Sequence, residues 1–162
     1  MNWKELFQMQ QQLDQRIEEE HHLTDQDLFS KKVMALFVEL GELANETRCF
    51  KFWSSKPAKE QKVILEEYVD GLHFILSLGL EKQLSFQGTG TMLDKEEDTT
   101  TQFHKVLGEL HLFQQSPTST HYEQLFYEFL RLGKTLGFEE GEIQEAYYLK
   151  NEVNHQRQDQ GY

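Results

Sequence analysis

One cysteine, two prolines and a shortage of basic side chains are the gaps in this chain of 162 residues. With Cys49 alone no internal disulfide can form, which fits a reducing, cytoplasmic setting. Sixteen Lys and Arg against 28 Asp and Glu leave a formal charge of −12, which opposes binding to nucleic acid or to an anionic lipid surface. A phosphate-bearing ligand then needs a local basic cluster or a bridging metal. The longest apolar run, Gly71 to Leu80, contains His73 and is too short to cross a bilayer. Met1 to Leu6 shows no basic flank followed by an apolar stretch, so no signal peptide is expected. Runs of alternating polar and apolar residues are also missing, which argues against strands. The expectation is a soluble, cytoplasmic, all-α protein, built as one domain over residues 1–162, since this length supports one core but not two. Twelve phenylalanines suggest that aromatic rings fill that core.

Helical periodicity places about six helices. Leu6, Phe7, Met9, Leu13 and Ile17 stripe a first helix from Trp3 to about Glu20. Thr24 to Asp27 can cap a second, from about Asp25 to Thr47, which is apolar on nearly every side from Val33 to Ala44 and is therefore expected to be buried. Pro57 suits the first turn of a third, from about Lys56 to Leu84. Residues 85–101, with Gly88, Gly90 and a run of threonines and acids, read as a mobile loop. A fourth helix is expected over Gln102 to Gln114. A fifth runs from Thr120, with Thr120-x-x-Glu123 as a capping box, to Leu136 before Gly137, and a sixth from Glu139 to about Gln156.

Set into the most apolar parts of the second and third helices are two acidic pairs, Glu39-x-x-Glu42 and Glu67-x-x-Asp70. Residues three apart lie one turn from each other on one helix face, so each pair presents two carboxylates side by side. No Lys or Arg stands three or four residues from any of the four. Two ionised carboxylates about 5 Å apart at an effective dielectric of about 20 repel by roughly 3 kcal/mol. Such a site holds a proton or a metal ion. All-oxygen ligands favour Mg²⁺, with Mn²⁺ as a substitute, over zinc. The bland reading, acids on a solvated helix face, fits one pair better than two pairs in greasy surroundings.

Lys150, Asn154 and Arg157, spaced by four and three, put two cations and an amide on one face of the last helix. Taken alone this is a basic last turn that complements the helix dipole. Beside a metal site in an acidic protein it becomes equipment for a polyphosphate. Gln10 and Asp14, one turn apart, together with the aromatic segment Phe50-Lys51-Phe52-Trp53, could recognise the edge and face of a base. His73 is expected to be a satisfied core histidine or a support for a neighbouring ligand.

The order Gln10-x-x-Leu13-Asp14, Glu39-x-x-Glu42, Phe-Lys-Phe-Trp, Glu67-x-x-Asp70-x-x-His73-Phe74 and Lys150-Asn151-x-x-Asn154-x-x-Arg157 resembles the dimeric dUTPases, members of the all-α NTP pyrophosphatases that include MazG-like enzymes. The resemblance implies a four-helix-bundle-like core, a homodimer, and hydrolysis of dUTP, and often dUDP, to dUMP. It implies that Glu39, Glu42, Glu67 and Asp70 hold magnesium ions against the phosphates. By the same resemblance Lys150, Asn154 and Arg157 bind the phosphate chain, Gln10 and Asp14 face the uracil edge, and Trp53 packs on the base. Metal ions would acidify a water and either Glu39 or Glu42 would take its proton. The family often carries Asn where this chain has Asp14. An ionised carboxylate only accepts hydrogen bonds, and both the uracil N3 proton and a cytosine amino group can supply one. Hydrolysis of another deoxynucleotide such as dCTP is therefore the alternative within the chemistry. From another class, the alternative is a catalytically silent helical interaction protein.

Overall fold

The computed structural model describes residues 1–88 and 98–161. Six helices follow one another: α1 (Trp3–Glu20), α2 (Phe29–Thr47), α3 (Gln61–Glu81), α4 (Thr99–Gln115), α5 (Ser119–Thr135) and α6 (Glu140–Asp159). No strand occurs among the described residues, and none of these helices is long and apolar enough to cross a membrane.

Several helix ends differ from the sequence reading, each for a local reason. The start of α2 moves from Asp25 to Phe29, because Leu23 to Gln26 close a turn and Asp27 accepts the Phe29 N–H from outside the helix at 3.0 Å. The start of α3 moves from Lys56 to Gln61 and leaves Pro57 outside. The preceding segment is a strap tied to the end of α2, with Lys59 N donating to Glu46 O (3.0 Å) and Arg48 Nε to Lys56 O (3.1 Å). Asp98, accepting from Thr101 N at 2.9 Å, begins α4 three residues earlier than Gln102. The cap of α5 is Thr118, which accepts from His121 N at 3.3 Å, and not Thr120. Gly137, at φ +90°, ends that helix as expected. Of the loop read at 85–101, residues 89–97 lie outside the described residues. Phe86 is buried, stacked on Phe126 with centroids 4.1 Å apart and met edge-on by Trp3 at 5.3 Å.

At the centre stands α3, packed against α1, α2, α5 and α6. That position explains why its second half is apolar all round: Val69, Leu72, Ile75, Leu76 and Leu78 are fully buried. The α4–α5 hairpin docks through α4 on α2 and through α5 on α3. The α3–α5 contact uses two notches. Tyr122 of α5 lies over Gly79 of α3 and donates to the Ile75 carbonyl at 3.0 Å. Reciprocally, Tyr68 of α3 lies over Gly133 of α5 and donates to the Phe129 carbonyl at 3.1 Å. An added Cβ would overlap Tyr122 at the first notch and lie 2.6 Å from Tyr68 Oη at the second, so only glycine lets the rings in. The sequence reading buried α2 all round. In the fold its buried face is Val33, Leu36, Leu40 and Leu43, while Met34 and Val38 stand 63% and 49% exposed.

Candidate active site

Packing α2 and α6 against one side of α3 brings the acids and the basic face together. One carboxylate oxygen from each of Glu39, Glu67 and Asp70 lies within 4.8 Å of the others. Glu42, on the same helix as Glu39 but exposed, stands outside this trio and adds its charge to both Glu39 and Glu67. Burial, then the charges of Asp70, Glu42 and Glu67, push the Glu39 carboxyl up to about 7. Burial likewise raises Glu67, reinforced by Asp70 and Glu42. A trio of hard oxygens at this spacing fits a divalent cation, and no other described group of acids, cysteines or histidines reaches that density.

The missing counter-charge comes from a different helix. Lys150 Nζ on α6 lies 2.7 Å from Asp70 Oδ2 and 3.1 Å from Glu66 Oε1, with 11% of its side chain exposed. Burial disfavours this ammonium, but Asp70 and Glu66 outweigh it and raise its pKa. For Asp70 burial is the larger effect, and its carboxyl is raised despite the bond to Lys150.

Beside the acids opens a cavity of about 290 Å³ lined by Gln10, Asp14, Glu39, Asp70, Asn154 and Arg157, with Leu13, His73, Phe74 and Ser77 also among its walls. The structure thus gathers Gln10, Asp14, Asn154 and Arg157 around one space that ends at two of the acids. Lys150 is not in its lining, nor is Trp53, which stands 64% exposed in the α2–α3 connection against Phe50 and Phe52.

The polar end of the cavity is a hydrogen-bond chain with a defined direction. A carboxylate accepts only, so the Gln10 amide turns its nitrogen to Asp14 Oδ1 (2.7 Å) and its oxygen inward. That oxygen accepts from Tyr147 Oη at 2.8 Å and meets His73 Nδ1 at 2.8 Å. Nδ1 therefore carries the ring proton, and Nε2 is left as a bare acceptor. His73 is 5% exposed, its Nε2 has no partner among the described residues, and burial with help from Lys150 holds its pKa down to about 3. The sequence reading made His73 a satisfied or supporting group. Nδ1 fits that role, whereas Nε2 is an unused acceptor on a residue that lines the cavity. The sequence reading includes Phe74 only as part of the motif around His73 and does not single out Ser77. Continuing the three-and-four spacing of Glu67 and Asp70 to His73, Phe74 and Ser77 marks the same stripe of α3 and would have found them.

The raised Glu39 pKa has a consequence for metal-free protein. A carboxyl whose pKa rises from 4.5 to about 7 on folding binds more protons folded than unfolded in that window, so its contribution to stability falls as pH rises from 4.5 to 7. The lowered His73 has the opposite slope below 6.5. The Glu39 effect is isolated by comparison with Glu39→Gln. Without metal the two proteins should melt alike near pH 4.5, with E39Q increasingly the more stable up to pH 7.5, and a divalent cation should reverse the order. Thermal unfolding at a series of pH values checks this, and a gap independent of pH would contradict it.

An all-α fold with three clustered carboxylates, an opposed lysine and a polar pocket suits an anionic ligand held through a divalent cation. Among curated proteins none matches the chain. A sequence profile described as dUTPase matches residues 2–162, so the chain belongs to the dUTPase family. Membership implies dUTP diphosphatase activity with a deoxynucleotide substrate, and a divalent metal of the kind the acid trio suits.

Proposed function

We propose that this protein is a Mg²⁺-dependent dUTP diphosphatase that releases dUMP and pyrophosphate, and that it also accepts dUDP. The observation that carries the reading is the junction of the carboxylate trio with a cavity whose far end is a defined hydrogen-bond chain. Glu39, Glu67 and Asp70 hold the metal and Glu42 completes the acidic face. A cation bound there neutralises the phosphates and acidifies a water. With Glu39 committed to the ion, Glu42 is the carboxylate free to take the water's proton. Asn154 and Arg157 on the cavity wall bind the phosphate chain. Lys150, paired with Asp70 beside the acids, would add its charge to that of Arg157.

At the base end Asp14 accepts from a base N–H, and the second Gln10 amide hydrogen donates to a carbonyl. Phe74 offers an aromatic face inside the cavity, and Trp53 reaches a base only from outside it. The exposed apolar side chains Met34 and Val38 on α2, with Leu149 and Val153 on α6, support a homodimer. A reducing cytoplasm suits the lone Cys49.

The test is to incubate the protein with dUTP, dUDP, dCTP, dTTP and dATP, with and without Mg²⁺, and to follow nucleoside monophosphate and pyrophosphate. Fastest turnover is expected with dUTP, lost on chelation. A faster reaction with dCTP would replace the substrate and keep the chemistry, and turnover of none would end the enzymatic reading.

A further inference from the structure

Lys32 belongs to α2, two turns before Glu39, and is absent from the lining of the substrate cavity. Only 13% of its side chain is exposed. Its ammonium lies inside a ring of three carboxylates: Glu81 Oε2 at 2.7 Å, Glu18 Oε1 at 3.3 Å and Asp14 Oδ2 at 3.7 Å. Asp14 is the only member of the ring that lines the cavity. Its Oδ2 also takes the Ser77 hydroxyl at 2.5 Å and its Oδ1 takes the Gln10 amide at 2.7 Å. Two hydrogen-bond donors and an ammonium 3.7 Å away fix both the rotamer of this carboxylate and its role as an acceptor.

We propose that Lys32 is a specificity-determining positioning residue: by holding Asp14 as an oriented, acceptor-only carboxylate, it makes the cavity read a base through a ring N–H donor. The proposal rests on the assignment of Asp14 to the base edge. For uracil that donor is N3–H, whereas cytosine presents a lone pair at N3 and donates only from its exocyclic amino group, so a carboxylate fixed in position separates the two where a free one accepts from either. Burial works against the charge on Asp14 and raises its carboxyl, with Ser77, Lys32 and Gln10 opposing. Glu18 is a further like charge beside it. Take the ammonium away and the ring holds three acids and no cation. The Asp14 carboxyl is then pushed further towards its protonated form, which donates as well as accepts, and is held less firmly for a base that donates at N3. The effect of Lys32 is thus transmitted through Asp14, without any contact with the nucleotide.

A simpler role would be to tie α1 and α3 to α2 through Glu18 and Glu81. Steady-state kinetics on dUTP and dCTP with Lys32→Met, Lys32→Gln, Lys32→Arg, Asp14→Asn and the double variant D14N/K32M separates the two. In the wild-type background K32M should raise KM for dUTP about tenfold, leave kcat within about threefold, and narrow the dUTP to dCTP ratio of kcat/KM about tenfold, the scale of one hydrogen bond to a charged group. K32R should restore KM to within about threefold of the wild type. In the D14N background, where no charge needs fixing, adding K32M should change KM less than about twofold. An equal loss in both backgrounds would make Lys32 a structural tie and overturn the proposal. K32Q, which keeps a polar side chain without charge, replaces K32M should the latter fail to fold, and must show the same changes. If D14N alone moves neither KM nor the nucleotide ratio, Asp14 does not face the base and the proposal fails with that assignment. Wild-type protein inactive on every nucleotide is a separate failure, that of the function itself.

Discussion

Glu39→Gln and Asp70→Asn are each expected to hydrolyse dUTP on the order of a thousandfold more slowly than the wild type. Each removes one oxygen ligand and one negative charge from a trio whose oxygens lie within 4.8 Å of one another. Lewis-acid stabilisation by a bound cation contributes several kcal/mol to a transition state, and roughly 4 kcal/mol corresponds to about a thousandfold in rate. Neither change removes a buried apolar contact, so far-ultraviolet circular dichroism should be unchanged, and calorimetric titration with Mg²⁺ should show the lost affinity directly. The two variants differ in one respect. D70N also deprives Lys150 of its closest partner, at 2.7 Å, and leaves it Glu66 alone, whereas E39Q leaves that pair intact. Full activity with either variant would show that the trio does not hold the metal.

The largest effect on stability is expected at the glycine notches. Gly79→Ala sets a methyl group into the Tyr122 ring and within 3.1 Å of the Leu84 carbonyl. Gly133→Ala sets one 2.6 Å from Tyr68 Oη. Both rings are fully buried, so neither has solvent to retreat into. Overpacking of this kind costs about 3 kcal/mol, more than the roughly 1 kcal/mol that alanine returns in helix propensity. For a chain of this length that net loss lowers the melting temperature by about 6 °C. Tyr122→Phe is the control. It removes only the hydrogen bond to Ile75 and should cost about 1 to 2 kcal/mol. Urea unfolding of the three variants gives the order, and a G79A protein as stable as the wild type would mean that α3 and α5 do not meet at this notch.

Much of the fold is legible in the chain because its signals are local. The limits of α1 and the Gly137 stop follow from periodicity and turn chemistry acting within a few residues. Of the helix starts that moved, that of α3 did so under longer-range control, where the end of α2 ties down residues 56–59, while those of α2, α4 and α5 turn on which of several neighbouring residues caps the helix. The same division runs through the site. Counting three and four residues along a helix pairs the carboxylates and sets Lys150, Asn154 and Arg157 on one face. It cannot show that Lys150 reaches Asp70 across a helix interface, that Lys32 stands beside Asp14, or that Gln10, His73 and Tyr147 from three helices share one hydrogen-bond chain. The exposure of Met34 and Val38 was illegible for a related reason: hydrophobicity alone does not say which apolar face a neighbour will cover.

The two notches fix α3 as two dowels fix a plate. Tyr68 and Gly79 are eleven residues apart on α3, and Tyr122 and Gly133 eleven apart on α5. Eleven residues make just over three whole turns, so both attachments face the same side of each helix, about 16 Å apart along the axis. A single contact would leave α3 free to roll, but a pair resists both rolling and sliding. A side chain some 5 Å from a helix axis moves nearly 1 Å for every 10° of roll. Asp70 lies between the dowels and Glu67 sits one residue before the first, so the aim of their carboxylates is held to a fraction of a turn with the help of tyrosines that never approach the site.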